Sequence, residues 1–396
     1  MLRVGVIFGG ESVEHEVSII TAVQAMSYLD SKKYQVIPIY IGKNKKWYTG
    51  DCLKDMETYK ELSDIPNMTK EVTLTTKGDE YVLQKKKGLF KGICNTIDIA
   101  LPIVHGKGVE DGSLAGYLET IGIPFVGPNT LSASLGQDKI VQKDVLKCNG
   151  VNITDYVWFF DNEFKLDEEE IIKKIEKFKY PVIVKPARLG SSVGIEVAHD
   201  KKQLIDAINE AIKYDDKIIV EKVIPNLLEV DCAVVGNPTD METSLIGEMF
   251  TSNDFLTFED KYISGGGKKG SKSGGKTGNF GFQIPAKLDK EIEKKIYDQA
   301  KKAFRALNLS GVTRFDFLVD KKTKEVYVNE PNTIPGSLAF FFFTPKGKSY
   351  TKLLDEMITI AIKDYKSKMK KVTSFDSNVL STYNGAKGKM NKMKMQ

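Results

Sequence analysis

The sequence predicts an α/β protein of two or three domains. Three observations carry that reading. Residues 2–41 run strand, glycine turn, helix, strand, the βαβ unit of a parallel sheet. Residues 182–198 run strand, glycine loop, strand. Residues 311–337 read as two alternating strands joined by a charged turn. A chain of 396 residues is long enough for several hydrophobic cores.

Composition narrows the class. Apolar content of 41% and charged content of 28% are those of an ordinary soluble globular chain. No apolar run approaches the ~20 residues that a membrane helix needs. The opening MLRVGVIFGG is a strand entering a turn, too short for a secretory signal. Cys52, Cys94, Cys148 and Cys232 are scattered without a CxxC pair. That argues against a zinc site or a disulfide framework and for a reducing cytoplasm. The net charge of +5 owes much to Lys387, Lys389, Lys392 and Lys394, which lie in an acid-free stretch, 377–396. Without them the charge is about +1, so no nucleic-acid partner is inferred. The basic tail, 371–396, has little to bury and is expected to be disordered.

Taken in order, residues 2–8 form a buried strand, Gly9-Gly10 a turn, 16–29 a helix and 34–41 a second strand. The turn lacks GxGxxG, so dinucleotide binding is not inferred. It does supply Glu11, Glu14 and Glu16 at the strand's carboxyl end, where open α/β sheets bind ligands. Acids in a first helical turn also complement the helix dipole. A strand pair is expected at 72–76 and 81–84. A buried strand, 97–104, delivers His105 and Gly106 into another glycine-rich turn opposite Glu16, where His105 is expected to touch a ligand. Residues 124–128 close the first domain.

A helix over 138–146 carries Lys139. Residues 162–167 read as a hinge-like polar loop, and 168–179 as a charged helix. Strand 182–184 presents Lys185 to a loop holding Gly190, Ser191, Ser192 and Gly194, and strand 195–198 follows. This differs from a Walker loop, which enters a helix. It can still wrap a triphosphate with backbone N–H groups and a lysine point charge. A helix at 201–214 leads to strand 217–222, ending in Glu221 and Lys222. The chain from Glu221 to Ile224 suits the edge of an adenine, with Glu229 reaching a ribose. Strands follow at 230–235 and 244–250. Residues 264–281 hold eight glycines and four lysines and cannot pack a core. Apolar residues flank them, so they interrupt a domain and read as a lid that orders over nucleotide. Helices at 290–308 and 350–365 complete the elements.

The hairpin at 311–337 carries the most chemistry. Phe315, Phe317 and Val319 alternate with Asp316 and Leu318, and Val326 and Val328 alternate with Tyr327 and Asn329. Glu330 and Asn332 are two apart and share a face, and Asp316 joins them if the strands pair. Charged strand ends are common without a metal. Two carboxylates and an amide oxygen nevertheless suit Mg²⁺ holding nucleotide phosphates. Arg314 and the N–H at the Pro335-Gly336 turn add the cation and donor that an acyl-transfer centre needs.

Seven motifs now stand in order: GGESVEHEVS, LPIVHGKGVEDGSLAGYLE, GQDK, PVIVKPARLGSSVG, EDKYISGG, TRFDF and NEPNTIPG. Their order and approximate spacing resemble those of D-alanine–D-alanine ligases of the ATP-grasp superfamily, over residues 1–365. The resemblance implies a three-domain ATP-grasp fold: an N-terminal parallel-sheet substrate domain (1–128), a central subdomain (129–223) and a C-terminal subdomain (224–370), with ATP gripped between the last two. It implies nucleotide contacts at Lys139, Lys185, Ser191, Ser192, Glu221, Lys222, Ile224 and Glu229, and a phosphate contact at Lys261. Asp316, Glu330 and Asn332 are implied as ligands of two Mg²⁺ (or Mn²⁺) ions. Glu16 and His105 are implied at the first substrate. Ser191 and Tyr262 are implied to hydrogen-bond with Glu16 and tie down the lid. Arg314 and the Gly336 N–H are implied as the oxyanion site. The implied reaction forms D-alanyl-D-alanine through an acyl phosphate for peptidoglycan precursors, in the cytoplasm and as a homodimer.

The chain departs from the family pattern in places. Phe341 stands where a substrate-contacting serine is usual, leaving Ser337 as its substitute. Val109 replaces a glycine, and Pro331 separates two metal ligands. These departures keep D-serine or D-lactate open as the second substrate. A degenerate ATP-binding protein is the rival from another class. Intact Lys185, Arg314, Asp316, Glu330 and Asn332 argue against it.

Overall fold

A computed structural model describes residues 1–86, 88, 92–251, 280–374 and 377. Three sheets organise them. The first joins β1 (Leu2–Gly9), β2 (Tyr34–Ile41), β3 (Trp47–Thr49), β4 (Lys70–Lys77), β5 (Glu80–Lys85), β6 (Ile93–Ile97) and β7 (Ile99–Val104) in the order β6-β5-β4-β3-β2-β1-β7. β1 pairs parallel with β2 and with β7, as the βαβ pattern predicts. The sheet is mixed, because β3 to β6 extend it by antiparallel pairing. Gly9 stands opposite Val104. The turns that follow β1 and β7 therefore emerge side by side.

The second sheet, β8 (Tyr156–Phe160), β9 (Val182–Pro186), β10 (Glu196–Ala198) and β11 (Lys217–Lys222), is antiparallel in the order β10-β9-β11-β8. Two amphipathic helices supply its core. Glu168–Glu176 buries Ile171, Ile172 and Ile175, and Lys201–Ala211 buries Leu204, Ala207, Ile208 and Ala211, at helical spacing. The expected loop at 162–167 is instead a short helix, Asp161–Leu166. The Glu163 carboxylate accepts from the Phe160 N–H at 2.7 Å, and Phe164 stacks on Phe159 in the core. One capping acid and one buried ring outweigh the polar remainder.

The third sheet, β12 (Leu227–Asn237), β13 (Asp240–Thr251), β14 (Phe280–Gln283), β15 (Gly311–Asp320) and β16 (Glu325–Asn332), runs β14-β13-β12-β15-β16, also antiparallel. Helix Lys290–Ala306 covers one face with Ile292, Ile296, Ala300, Ala303 and Phe304. The last helix, Tyr350–Met369, shares a core with the first sheet through Leu353, Leu354, Met357 and Ile358. This couples the two ends of the chain. Residues 252–279 lie outside the described residues. That range takes in Lys261, Tyr262 and nearly all of the expected lid.

Phe304 is fully buried among Ile296, Ala300 and the inward strand residues. Phe304→Ala is expected to cost about 3–5 kcal/mol, the range for emptying a large aromatic site in a core. Denaturant titration followed by circular dichroism checks it, with a clear drop in midpoint expected.

Candidate active site

The hairpin builds its polar face through a break in strand pairing. Along β15, Phe315, Phe317 and Val319 are buried, while Arg314, Asp316 and Leu318 face the other way. In β16, Val326 and Val328 are buried, and strict alternation would bury Glu330 with them. The register instead shifts: Asp316 pairs with Glu330 but Phe317 pairs with Val328, leaving Asn329 as the extra residue of a β-bulge. Pro331 then turns into the core, and Glu330 and Asn332 join Asp316 outside. Pro331 lacks an N–H, but it pairs opposite Phe315 on the sheet's outermost strand, where a missing donor is tolerated.

The polar face is tightly paired. Arg314 donates to Asp316 twice, Nε to Oδ1 at 2.7 Å and an η nitrogen to Oδ2 at 2.9 Å. Asn332 donates to Asp316 at 3.0 Å. Asp231, on neighbouring β12 and opposite Asp316, lies 3.4 Å from Arg314 and is buried. Sequence reasoning missed Asp231. Its signal was the alternation of β12, in which Glu229 and Asp231 fall on one face.

Helix Lys139–Cys148 and strand β9 of the second sheet bring three lysines to this face. Lys139 reaches Glu330 at 3.0 Å and donates to the Leu189 carbonyl at 2.8 Å. Lys185 donates to Glu221 Oε2 at 2.9 Å and to Asn329 Oδ1 at 3.3 Å. Lys143, one helical turn beyond Lys139, is buried and lies 3.1 Å from Glu221 Oε1. Burial opposes charge on Glu221, but Lys143 and Lys185 outweigh it and hold the carboxyl at about 2. Lys143 was not singled out from sequence, although its spacing from Lys139 puts both on one helix face.

The N-terminal turns require a correction. The sequence reading tied Ser191 to Glu16. In the structure the Ser191 hydroxyl donates to Glu14. Glu16 points to solvent and pairs with Lys43 at 2.6 Å. The helix begins at His15, so Glu14 precedes it while Glu16 is in its first turn. Ser12 fixes Glu14 by accepting from its N–H at 2.9 Å and donating to the His105 carbonyl at 2.6 Å. The intervening His15 is buried, with its ring against the Gly10 carbonyl and Tyr40 hydroxyl. Gly190 faces Glu14 so closely that a Cβ there would stand 2.8 Å from Oε2. Ser191 and Ser192 have left-handed φ of 57° and 59°, which fold the loop over this contact.

His105 is buried, and its Nε2 has no hydrogen-bond partner among the described residues. Desolvation holds the ring at about 4, despite a hydrogen bond to the Ile334 backbone, with Arg314 adding to the effect. It is therefore neutral near pH 7. Glu110, five residues on, accepts from the Gly106 N–H (2.9 Å), the Thr333 hydroxyl (2.9 Å) and the Ile334 N–H (3.1 Å). It ties the first sheet's loop to the end of the hairpin. Beyond Gly336, Ser337, Leu338 and Ala339 form a left-handed turn with φ of 52°, 49° and 51°. Each such non-glycine residue costs roughly 1–2 kcal/mol. Burial of Leu338 and Ala339 and the Ser337 N–H bond to Thr21 (3.0 Å) hold the turn. Phe341 packs against Phe340 and Phe342.

Two family profiles match the chain: "D-ala D-ala ligase N-terminus" over residues 3–128 and "D-ala D-ala ligase C-terminus" over 145–359. The chain belongs to the D-Ala–D-Ala ligase family. The D-alanine–D-alanine ligase of Thermosipho melanesiensis is 40% identical over 382 residues, covering 96% of this chain and 98% of its own. That of Clostridium acetobutylicum is 38% identical over 370 residues, covering 91% and 97%. Among solved structures, the D-alanine–D-alanine ligase of Coxiella burnetii aligns with a TM-score of 0.76 at 27% identity, covering 93% of this chain and 98% of that one. The VanG D-Ala:D-Ser ligase of Enterococcus faecalis aligns at 0.75 and 28%, covering 91% and 99%. The family's ATP-grasp fold accounts for the second and third sheets meeting at the lysine-lined face. Among the described residues, no helix is long and apolar enough to cross a membrane.

Glu110 gives the site a pH signature. Desolvation, with Glu14 nearby, raises its carboxyl from 4.5 to about 7. A carboxyl raised on folding binds more protons folded than unfolded between those values. Its contribution is therefore greatest at low pH and is lost as pH rises to about 7. Measured by chemical denaturation from pH 5 to 8, the wild type should lose stability relative to Glu110→Gln up to about pH 7, with a constant difference above.

Proposed function

We propose that this chain joins two D-alanines in an ATP-dependent, ADP-forming reaction that supplies the dipeptide of peptidoglycan precursors. One observation carries the reading. The Arg314–Asp316–Asn332–Glu330 face of the third sheet meets Lys139 from helix Lys139–Cys148 and Lys185 from β9, and the loops after β1 and β9 meet in the Glu14–Ser191 contact.

In the first step, the carboxylate of one D-alanine attacks the γ-phosphorus of ATP and ADP leaves. Lys139 and Lys185 offset charge on the phosphoryl oxygens. The backbone from Glu221 to Ile224, including Lys222, edges the adenine. Glu229 takes the ribose, and the loop N–H groups of Ser191 and Ser192 cover the phosphates. Lys261 and Tyr262 belong to this machinery on their motif alone. Glu14, in place of Glu16, faces the ammonium of the first D-alanine, beside the neutral ring of His105. In the second step, the amine of the other D-alanine attacks the acyl phosphate. Arg314 and the Gly336 N–H receive the developing oxyanion, and phosphate leaves. Ser337 borders the acceptor side.

The donor set fits a hard divalent cation. Among the described residues, no group of three His, Cys, Asp or Glu is assembled. Magnesium sites commonly use one or two carboxylates and complete their shell with phosphate oxygens and water. Asp316, Glu330 and Asn332 would hold two Mg²⁺ (or Mn²⁺) ions, which supply charge neutralisation on the phosphates when bound. We propose further, on the family resemblance, that the chain works in the cytoplasm as a homodimer.

Phosphate release with ATP and Mg²⁺, with and without D-alanine, tests the reading. Release that requires D-alanine and yields the D-alanyl-D-alanine mass is expected. Release only after D-serine or D-lactate is added would replace the acceptor, and silence with all three would overturn ligation. In the same assay, Glu330→Gln should lower kcat at least a hundredfold with unchanged circular dichroism. Glu14→Gln should lower kcat/KM for D-alanine at least tenfold, while Glu16→Gln stays within about twofold of wild type. Equal effects of the last two would return the substrate contact to Glu16.

A further inference from the structure

Lys143 carries a charge the reaction scheme leaves unused. It is almost completely inaccessible to solvent. Its ammonium lies 3.1 Å from Glu221 Oε1 and 3.2 Å from both the Thr154 hydroxyl and the Asn329 carbonyl. Glu221 is equally buried, and its other oxygen accepts from Lys185 at 2.9 Å. One carboxylate thus stands between two lysines of different setting. Lys143 is enclosed on every side by protein groups. Lys185 is the penultimate residue of strand β9, ahead of the Gly190–Gly194 loop, and its second contact is the side chain of Asn329, the bulge residue of the hairpin.

Lys185 is held by Glu221 at 2.9 Å, so shifting it toward a phosphate loosens that contact. Leaving a buried carboxylate without any cation is strongly unfavourable, whereas leaving it with one resident cation is not. We infer that Lys143 is a positioning residue. It is the permanent counter-ion of Glu221, and its presence frees Lys185 to move from Glu221 to the phosphates of the nucleotide. This deepens the proposed function and rests on its reading that ATP binds here. Without Lys143, Glu221 would hold Lys185 as its only cation, and the triphosphate would lose that contact. The adenine edge, made by backbone, would not change.

The test compares ATP with adenosine, using calorimetric titration of the full-length chain. In Lys143→Met, the dissociation constant for ATP should rise at least tenfold and that for adenosine stay within twofold. Lys143→Arg should keep ATP within about threefold of wild type. A purely structural role would weaken both ligands together. Parallel losses, or no loss for either, would overturn the inference. If Lys143→Met does not fold, Lys143→Met/Glu221→Gln decides. With no carboxylate holding Lys185, its preference for ATP over adenosine should be within threefold of wild type, and a tenfold lower preference would overturn the inference. Wild type that binds neither ligand would instead overturn the underlying assignment of nucleotide binding, so the two failures are distinguishable.

Discussion

A strand shows its side chains alternately to two faces, and this site depends on one break in that alternation. Without the bulge at Asn329, Glu330 would point with Val326 and Val328 at helix Lys290–Ala306. A carboxylate there would be buried without a partner, which proteins avoid at almost any position. With the bulge, Pro331 takes the inward place, and Glu330 and Asn332 join Asp316 on the polar face. The bulge residue is used as well. Its carbonyl accepts from Lys143 and its amide oxygen from Lys185. The device that re-aims the hairpin's acids also fastens the hairpin to the second sheet.

Concentrating acids on one face creates the next problem, which is repulsion. Asp231, Asp316, Glu330 and Glu221 are all partly or wholly buried. Each is balanced by a cation: Arg314 for Asp316 on its own strand and for Asp231 on the next, Lys139 for Glu330, and Lys143 with Lys185 for Glu221. Charge balance therefore ties together β12, β15, β16, β9, β11 and helix Lys139–Cys148. Buried ion pairs of this kind contribute little net stability over apolar packing. What they provide here is a set of opposed charges held together on one polar face.

The first sheet joins this arrangement by hydrogen bonds that cross long stretches of chain. Glu110 grips Thr333 and Ile334, Glu14 accepts from Ser191, and Thr21 accepts from Ser337. The shared core of the first sheet and the last helix backs these contacts with apolar burial. A left-handed turn of three non-glycine residues persists at 337–339 because groups on both sides hold it. Strain of this kind survives where the surrounding structure over-determines the backbone.

The sequence by itself determined the α/β class, the order of elements and most of the residues that meet on the polar face. Hydrophobic periodicity, glycine turns and motif order are local properties, and Lys139, Lys185, Arg314, Asp316, Glu330 and Asn332 are legible in them. Only the tertiary structure decided which acid of Glu14 and Glu16 meets Ser191. The two differ by less than one helical turn, and the choice depends on where helix His15–Tyr28 begins and on a loop 177 residues away. The same holds for Lys143, whose meaning comes from Glu221 on another strand, and for the bulge at Asn329, which no alternation pattern announces. Periodicity fixes which residues can share a face. Long-range pairing and burial fix which charges meet there.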